Sequence, residues 1–207
     1  MRAMVVSSVV LLSTLVASVA TADNGVFDGQ LVSTIGDASG LSILPARLSG
    51  TGQVVFRDSL ELFGQDSSHA LSFLIQDGGS LVFSSYAESS LANGLEFVFK
   101  RTGRKLLVTL TRAGTAGRDV SSAFQAVDAS RVVDLQIDVH NSESPAHIVV
   151  WNGNEREFSD DNTLLNSEDG DVSPGAGSGV LRGFTLINAV VFKSSVSEVK
   201  LDHDHDH

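Results

Sequence analysis

Hydrophobic and polar residues alternate along much of this 207-residue chain, most clearly between residues 131 and 140. One side of that alternation carries Val133, Leu135, Ile137 and Val139, and the other carries Asp134, Gln136, Asp138 and His140. A period of two predicts a strand with one face on a core and the other face in water. A second β-rich stretch, residues 146–153, follows turn-forming residues 141–145. We therefore predict an antiparallel hairpin.

The register of this hairpin follows from its apolar residues. Only one pairing keeps the apolar rows of both strands on one face, because a slip of one residue would send them to opposite faces. The apolar pairs of this register are Val139 with Ile148 and Ile137 with Val150. The pairs on the polar side are His140 with His147, Asp138 with Val149 and Gln136 with Trp151.

The same register predicts that the only tryptophan, Trp151, lies on the polar face beside Gln136, Asp138, His140 and His147. An indole next to side chains that donate and accept hydrogen bonds suits a sugar, whose rings have apolar C–H faces and hydroxyl edges. We predict that these five residues form a carbohydrate-contact face. The alternative is that Trp151 packs under a loop or belongs to the opposite face.

Further short runs rich in valine, isoleucine, leucine, phenylalanine and threonine recur along the chain, separated by glycine-containing turn signals. They are residues 26–33, 53–57, 70–76, 80–85, 95–100, 105–112, 120–126, 180–192 and 196–201. No window shows a long helical period bounded by caps. The sequence therefore predicts an all-β fold, a two-sheet antiparallel β-sandwich or jelly roll. We also expect the first run to pair with the last strands.

Several of these segments resemble the concanavalin A-like and laminin G-like jelly rolls. The similar segments are residues 47–56, residues 69–76, the hairpin that ends in Trp151-Asn152-Gly153, and the closing pair at 181–192 and 196–201. The resemblance covers about residues 45–201. It implies a two-sheet antiparallel fold and a role in binding glycans, lipoproteins or matrix proteins. Many members of the family hold calcium at the rim of the sandwich.

The first 22 residues have the pattern of a secretory signal peptide. An early positive charge precedes an apolar centre, and the segment ends in Ala20-Thr21-Ala22, a small-x-small cleavage pattern. A retained membrane anchor is the weaker alternative, because serine and threonine interrupt the apolar run, and no later segment is apolar enough to span a bilayer. We predict a signal peptide at 1–22, a jelly-roll domain at 23–201, a tail at 202–207, and secretion to the extracellular space.

Charge and cysteine content narrow the class of protein. The net charge of −11 argues against nucleic-acid binding, which depends on basic groups that neutralise phosphates. The chain has no cysteine, so neither disulfides nor thiol chemistry contribute, and packing alone must stabilise the fold.

Two segments have the residue types of metal sites. At the C-terminus, His203, His205 and His207 alternate with aspartates, and imidazoles in this arrangement suit Zn²⁺ or Cu²⁺. Asp169 and Asp171 flank Gly170 in an acidic loop whose oxygen ligands suit Ca²⁺. The alternatives are a solvated tail and an ordinary polar loop.

Four basic residues, Lys100, Arg101, Arg104 and Lys105, surround one predicted hairpin turn. On an acidic protein, such a patch predicts binding of polyanions such as sulfated glycans or anionic lipid headgroups. The alternative is a hairpin tip whose charges protect a sheet edge.

Catalysis has little support in the sequence. No nucleophile elbow, zinc-protease motif, phosphate loop or cysteine nucleophile is present. Asp134 and Asp138 share a strand but would lie about 13 Å apart, too far for a paired-carboxylate glycosidase. We therefore predict a secreted, non-enzymatic module that binds carbohydrate or extracellular matrix ligands. The alternatives are an acidic matrix or mineral-associated structural protein that gathers metal ions, and a divergent glycosidase.

Overall fold

The computed structural model describes the chain in nine ranges, residues 30–35, 41–44, 47–62, 66–87, 90–112, 120–123, 127–153, 163–167 and 179–198. Within these ranges the backbone forms strands joined by turns. The strands are β1 (Gln30–Ile35), β2 (Leu41–Leu44), β3 (Arg47–Leu62), β4 (Ser67–Ala87), β5 (Ser90–Thr102), β6 (Lys105–Arg112), β7 (Val120–Ala123), β8 (Val133–His140), β9 (His147–Asn152), β10 (Thr163–Asn166) and β11 (Gly179–Glu198). All of their pairings are antiparallel.

Three long strands, β3, β4 and β11, run through both layers of a sandwich. Residues 67–73 of β4 pair with β8, whereas residues 80–87 of the same strand pair with β5. Strand β11 follows β4 along both parts. One layer therefore contains β8, β9 and β10 beside the first part of β4, and the other contains β5, β6 and β7 beside its second part.

The bends of the three long strands lie next to one another. Backbone angles with positive φ occur at Gly50 and Gly52 in β3, at Gly78 in β4 and at Asn188 in β11. The backbone N–H of Asn188 donates to Oγ1 of Thr51 at 3.1 Å, which joins the bends of β3 and β11. Glycine adopts positive φ without the steric cost that a Cβ brings, and asparagine tolerates it better than most other residues, so these positions allow the strands to fold over.

The bend of β4 supplies a matched pair of substitutions. A Cβ on Gly79 would lie 2.6 Å from the carbonyl oxygen of Ile187, whereas a Cβ on Gly78 would meet nothing within 4 Å and would only strain a φ of +73°. We expect Gly79→Ala to lower the free energy of unfolding by about 2 kcal/mol or more, and Gly78→Ala by about 1 kcal/mol. Urea denaturation of both variants tests this. Equal losses at the two positions would contradict the close approach.

Aromatic rings fill the space between the layers. Phe83 of β4 stacks on Phe97 of β5 at 6.0 Å and on Phe184 of β11 at 5.4 Å between ring centroids. Phe73, in the other part of β4, meets Phe99 of β5 at 5.0 Å. The same core contains the inward row of the predicted hairpin, Val133, Leu135, Ile137, Val139, Ile148 and Val150. Contacts between residues of opposite layers show that the bent sheet closes on a single core.

The all-β sandwich predicted from the sequence is confirmed, and so is the register of the hairpin. The structure pairs Val139 with Ile148, Ile137 with Val150, His140 with His147, Asp138 with Val149 and Gln136 with Trp151. The predicted runs at 70–76 and 80–85 are one strand, β4, and those at 180–192 and 196–201 fall largely in one strand, β11. Strands β2 and β10 were not predicted.

One topological expectation is wrong. The first strand, β1, pairs with β3 and not with the last strand, because β3 lies between β1 and β11. The predicted signal peptide and the tail at 202–207 fall outside the described residues. In the nine described ranges, no helix has the length and apolar character needed to cross a membrane.

Candidate functional site

Strands β8 and β9 position the predicted contact face. The burial of β8 alternates strictly, so Val133, Leu135, Ile137 and Val139 are buried while the residues between them are partly exposed. The polar row at Gln136, Asp138 and His140 therefore points away from the core. Because β9 is paired in the predicted register, His147 and Trp151 stand opposite His140 and Gln136 on that same outward side.

A hydrogen-bonded triad occupies the middle of this face. Nε1 of Trp151 donates to Oδ2 of Asp138 at 2.7 Å, and Nε2 of Gln136 donates to Oδ1 of Asp138 at 3.0 Å. Two donors therefore fix the orientation of the Asp138 carboxylate. A carboxylate oxygen can accept more than one hydrogen bond, so the Asp138 carboxylate retains capacity for further donors.

Trp151 is on the predicted face but is not an open platform. Only 7% of its surface is exposed, and the residue lies outside the main hydrophobic core cluster. Strand β10 pairs with this part of β9, with Thr163 opposite Trp151. The expectation of an accessible indole is therefore corrected, because the ring is buried. Contact between Trp151 and a ligand stays a prediction.

At the end of the hairpin next to its loop, the two histidines form a stacked pair. The rings of His140 and His147 have centroids 4.6 Å apart and planes only 3° from parallel. Nδ1 of His140 lies 3.0 Å from Oε1 of Glu143, and Nδ1 of His147 lies 3.8 Å from Oε2 of the same carboxylate. Nδ1 of His147 also donates to the carbonyl oxygen of Pro145 at 3.1 Å. The hairpin loop thus brings a carboxylate to two imidazoles.

The loop that carries Glu143 is tied to the start of β4. The backbone N–H of Ser142 donates to Oδ1 of Asp66 at 2.8 Å, and its hydroxyl donates to Oδ2 of the same carboxylate at 2.5 Å. Partial burial raises the pKa of Asp66, but hydrogen bonds from Ser142 and Asn141 and the nearby His140 together outweigh it, and the pKa is lowered overall. Asp66 therefore remains ionised and holds the loop in place.

The predicted polyanion patch is largely engaged in internal contacts. Nη1 of Arg101 donates to the carbonyl oxygen of Ile75 at 2.8 Å. Arg104 forms an ion pair with Asp128 at 2.5 Å, and its hydrogen bond holds the pKa of the Asp128 carboxyl well below its usual range. Lys100 and Lys105 are exposed. Polyanion binding by these four residues stays a prediction, and the observed contacts fit a hairpin tip fastened to β4 and to the loop that contains Asp128.

A polar group inside the sandwich was missed by sequence reasoning. Arg182 is completely buried, and its Nη1 donates to Oγ of Ser194 in the opposite layer at 2.8 Å. His69 is also buried, and Oγ of Ser67 lies 3.1 Å from its Nε2. Desolvation, together with the positive charge of Arg182, lowers the pKa of His69 to about 3. The signal was the period of two, which places Arg182 in phase with Phe184.

The remaining predicted metal residues cannot be placed beside these groups. Asp169, Asp171, His203, His205 and His207 all lie outside the described residues. Calcium binding by the acidic loop and zinc or copper binding by the tail therefore stay predictions. Among the described residues, His140, Glu143 and His147 are the group whose ligand atoms could reach one metal ion.

Comparison of the whole structure with solved structures gives the fold. The carbohydrate-binding module CBM66 from Bacillus subtilis superposes with a TM-score of 0.52 at 11% identity, covering 84% of this chain and 97% of the module. The exoplasmic/lumenal domain of VIP36 in its Ca²⁺/Man3GlcNAc-bound form gives 0.51 at 8% identity, with coverages of 81% and 84%. A β-glucanase of Bacillus licheniformis gives 0.50 at 9% identity, with coverages of 86% and 94%. The chain has the concanavalin A-like fold.

The predicted resemblance to the concanavalin A-like jelly rolls is therefore confirmed at the level of fold. No protein-family model matches the sequence, and no curated protein matches it as a relative. The three similar structures are named as a carbohydrate-binding module, a domain with bound Man3GlcNAc and a β-glucanase. At these identities the likeness establishes architecture, and the function has to be argued from the side chains of this chain.

Proposed function

We propose that this protein is a secreted, non-enzymatic carbohydrate-binding module, and that it contacts sugar through the outward face of β8 and β9. The observation that carries the proposal is the Asp138 carboxylate, held by Trp151 and Gln136 on a partly exposed strand face. A carboxylate fixed in this way accepts hydrogen bonds from sugar hydroxyls without first having to be ordered.

Charge and fold support the same function. The net charge of −11 favours a neutral polyhydroxyl ligand over a polyanion. CBM66 is by its name a carbohydrate-binding module, and VIP36 is named with bound mannose-containing sugar. The N-terminal pattern of residues 1–22 favours export, where glycans are abundant ligands.

The burial of Trp151 changes how sugar would be held. In place of stacking on an open indole, the ligand would meet the polar edge formed by Gln136, Asp138 and His140, with the indole as a support for the carboxylate. Such a face would distinguish sugars by the positions of their hydroxyls more than by the apolar faces of their rings. Hydrogen bonds to a charged group are directional and contribute about 1.5–3 kcal/mol each.

An oligosaccharide array followed by titration with the best-bound sugar tests the proposal. We expect Asp138→Ala to weaken binding by at least about tenfold, since that change equals about 1.4 kcal/mol. Trp151→Phe should weaken it less, because the ring stays while the N–H that orients Asp138 is lost. No hydrolysis of the bound sugar is expected.

The matched control is Thr109→Ala on β6, which changes a partly exposed polar residue of the opposite layer. It should leave affinity unchanged, and circular dichroism should show that all variants are folded. Absence of any signal across the array would contradict carbohydrate binding. Undiminished affinity in a folded Asp138→Ala variant would rule out this face as the site.

A further inference from the structure

Two imidazoles and a carboxylate meet where β8 and β9 join. His140 is the last residue of β8 and His147 the first of β9, and they are direct partners across the hairpin. Side chains of directly opposed residues in an antiparallel pair lie close enough to act on one ligand. The ring centroids of these two residues are 4.6 Å apart.

Glu143 completes the group from the loop between the strands. Its two carboxylate oxygens lie 3.0 Å and 3.8 Å from the Nδ1 atoms of His140 and His147. One ligand atom from each of the three residues falls within 4.8 Å of the others. The three residues therefore lie close enough together at the end of the hairpin for one small ion to come within reach of all of them.

The surroundings hold His147 and the loop backbone in place. The Pro145 carbonyl accepts a hydrogen bond from His147, which orients that ring in the way that carbonyl groups orient metal-ligating histidines. Asp66 holds the loop backbone at Ser142 and adds a nearby negative charge. Glu143 and His140 are the more exposed members, so water and a dissolved ion reach the group from outside.

The donor set selects the kind of ion. Two imidazole nitrogens with one carboxylate oxygen suit Zn²⁺ and its divalent first-row neighbours, whereas Ca²⁺ and Mg²⁺ require mostly oxygen ligands. Three protein ligands leave at least one coordination position for water or another molecule.

We propose that His140, Glu143 and His147 form a binding site for a divalent transition-metal ion, with zinc as the best match, at the end of the β8–β9 hairpin. The site uses none of the residues of the Asp-His tail and does not depend on sugar binding. It closes the hairpin loop across both strands, so the metal also stabilises the outward face that contains Asp138.

Binding requires one local change. The nitrogen lone pairs of two nearly parallel, stacked rings lie in two separate parallel planes, so the two histidines cannot both point at one ion as they stand. His147 is buried and fixed by Pro145, whereas His140 is partly exposed. The ring of His140 therefore rotates when metal binds, and Glu143, whose side chain is 42% exposed, follows it.

Calorimetric titration with ZnCl₂ in the presence of excess Ca²⁺ tests the site, because Ca²⁺ saturates oxygen-only sites. The full chain is used with His203, His205 and His207 all changed to alanine, so that the tail does not contribute. We expect this tail variant to bind one equivalent of zinc. Adding His140→Ala or Glu143→Gln should weaken that binding by roughly 10–100-fold or more. A loss of that size is typical even when the removed residue only hydrogen-bonds to a metal ligand.

A matched control and a second readout keep the test independent of folding. Thr109→Ala in the tail variant should bind zinc as before, since Thr109 lies on the other layer. Co²⁺ should give visible absorption bands of a low-coordinate site that His140→Ala removes, while far-UV circular dichroism stays unchanged. A tail variant that binds no zinc, or one whose affinity is unaffected by both His140→Ala and Glu143→Gln, would overturn the proposal.

Discussion

Replacing Phe83 with alanine should lower the free energy of unfolding by about 3–5 kcal/mol. Phe83 is 1% exposed and its ring contacts Phe97, Phe184 and His69, which come from three different strands. His69 belongs to the part of β4 that pairs with β8, so Phe83 joins the two layers as well as the strands of one layer. The cavity left by the missing ring cannot close without moving both layers.

The effect is measured by urea denaturation followed by far-UV circular dichroism. The matched control is Ile187→Ala at the bend of β11, where 48% of the isoleucine is exposed, and it should change the free energy by about 0.5 kcal/mol or less. A loss for Phe83→Ala no larger than that of the control would mean that the sandwich is not packed around this ring.

The sequence was most informative where one face of a strand is buried and the other is not. Strict alternation from Val133 to His140 predicted both the strand and its register with β9, because a shift of one residue would expose the whole apolar row. The Trp151–Gln136 pairing followed from the same argument. The turn residues between the two strands predicted that the chain reverses direction there, so that the two strands pair antiparallel.

The alternation of apolar and polar residues could not predict that part of the outward face is buried. The period of two places Trp151 on the side opposite the core, but it does not show that β10 pairs alongside β9 and that the ring is covered. The approach of Glu143 to two histidines was missed for a related reason. A loop residue has no periodicity to place it, so its position depends on anchors such as the Asp66–Ser142 contact.

Continuity of the long strands was also beyond the sequence pattern. Residues 77–79 contain an aspartate and two glycines, which are typical of a turn between separate strands. In the structure they bend β4 without ending it, because β11 runs beside β4 and bends at the matching position near Asn188. Two neighbouring segments that are far apart in sequence must bend together, and this is a tertiary effect.

Buried polar residues show what periodicity can and cannot reveal. Alternation places Arg182 with Phe184 and His69 with Leu71, which puts both polar side chains inside. It does not identify their partners, which are Ser67 on the same strand for His69 and Ser194 in the opposite layer for Arg182. Arg182 reaches Ser194, and its guanidinium carbon lies 6.0 Å from the ring centre of Phe56. A buried cation beside a buried imidazole has a consequence for stability that depends on pH.

We expect the protein to lose stability as the pH falls below 6.5, and His69 to account for a large part of the loss. The pKa of His69 is lowered from 6.5 to about 3 by burial and by the charge of Arg182. Below pH 6.5 the unfolded chain takes up a proton at this position that the folded chain does not. Stability from this group is therefore complete above pH 6.5 and decreases as the pH falls toward 3.

The expected size follows from linkage. A full difference of one proton changes the free energy of unfolding by about 1.4 kcal/mol per pH unit, so His69 alone should remove roughly 3 kcal/mol between pH 6.5 and pH 4.

His69→Gln keeps a polar side chain near Ser67 but does not titrate. Carboxylates with lowered pKa values, such as Asp66, contribute equally to both proteins at lower pH. Urea denaturation at half-unit pH steps should therefore give a clearly flatter profile for His69→Gln, because only the wild type has the His69 imidazole to protonate on unfolding. Parallel profiles for the two proteins would show that His69 is not held neutral inside the sandwich.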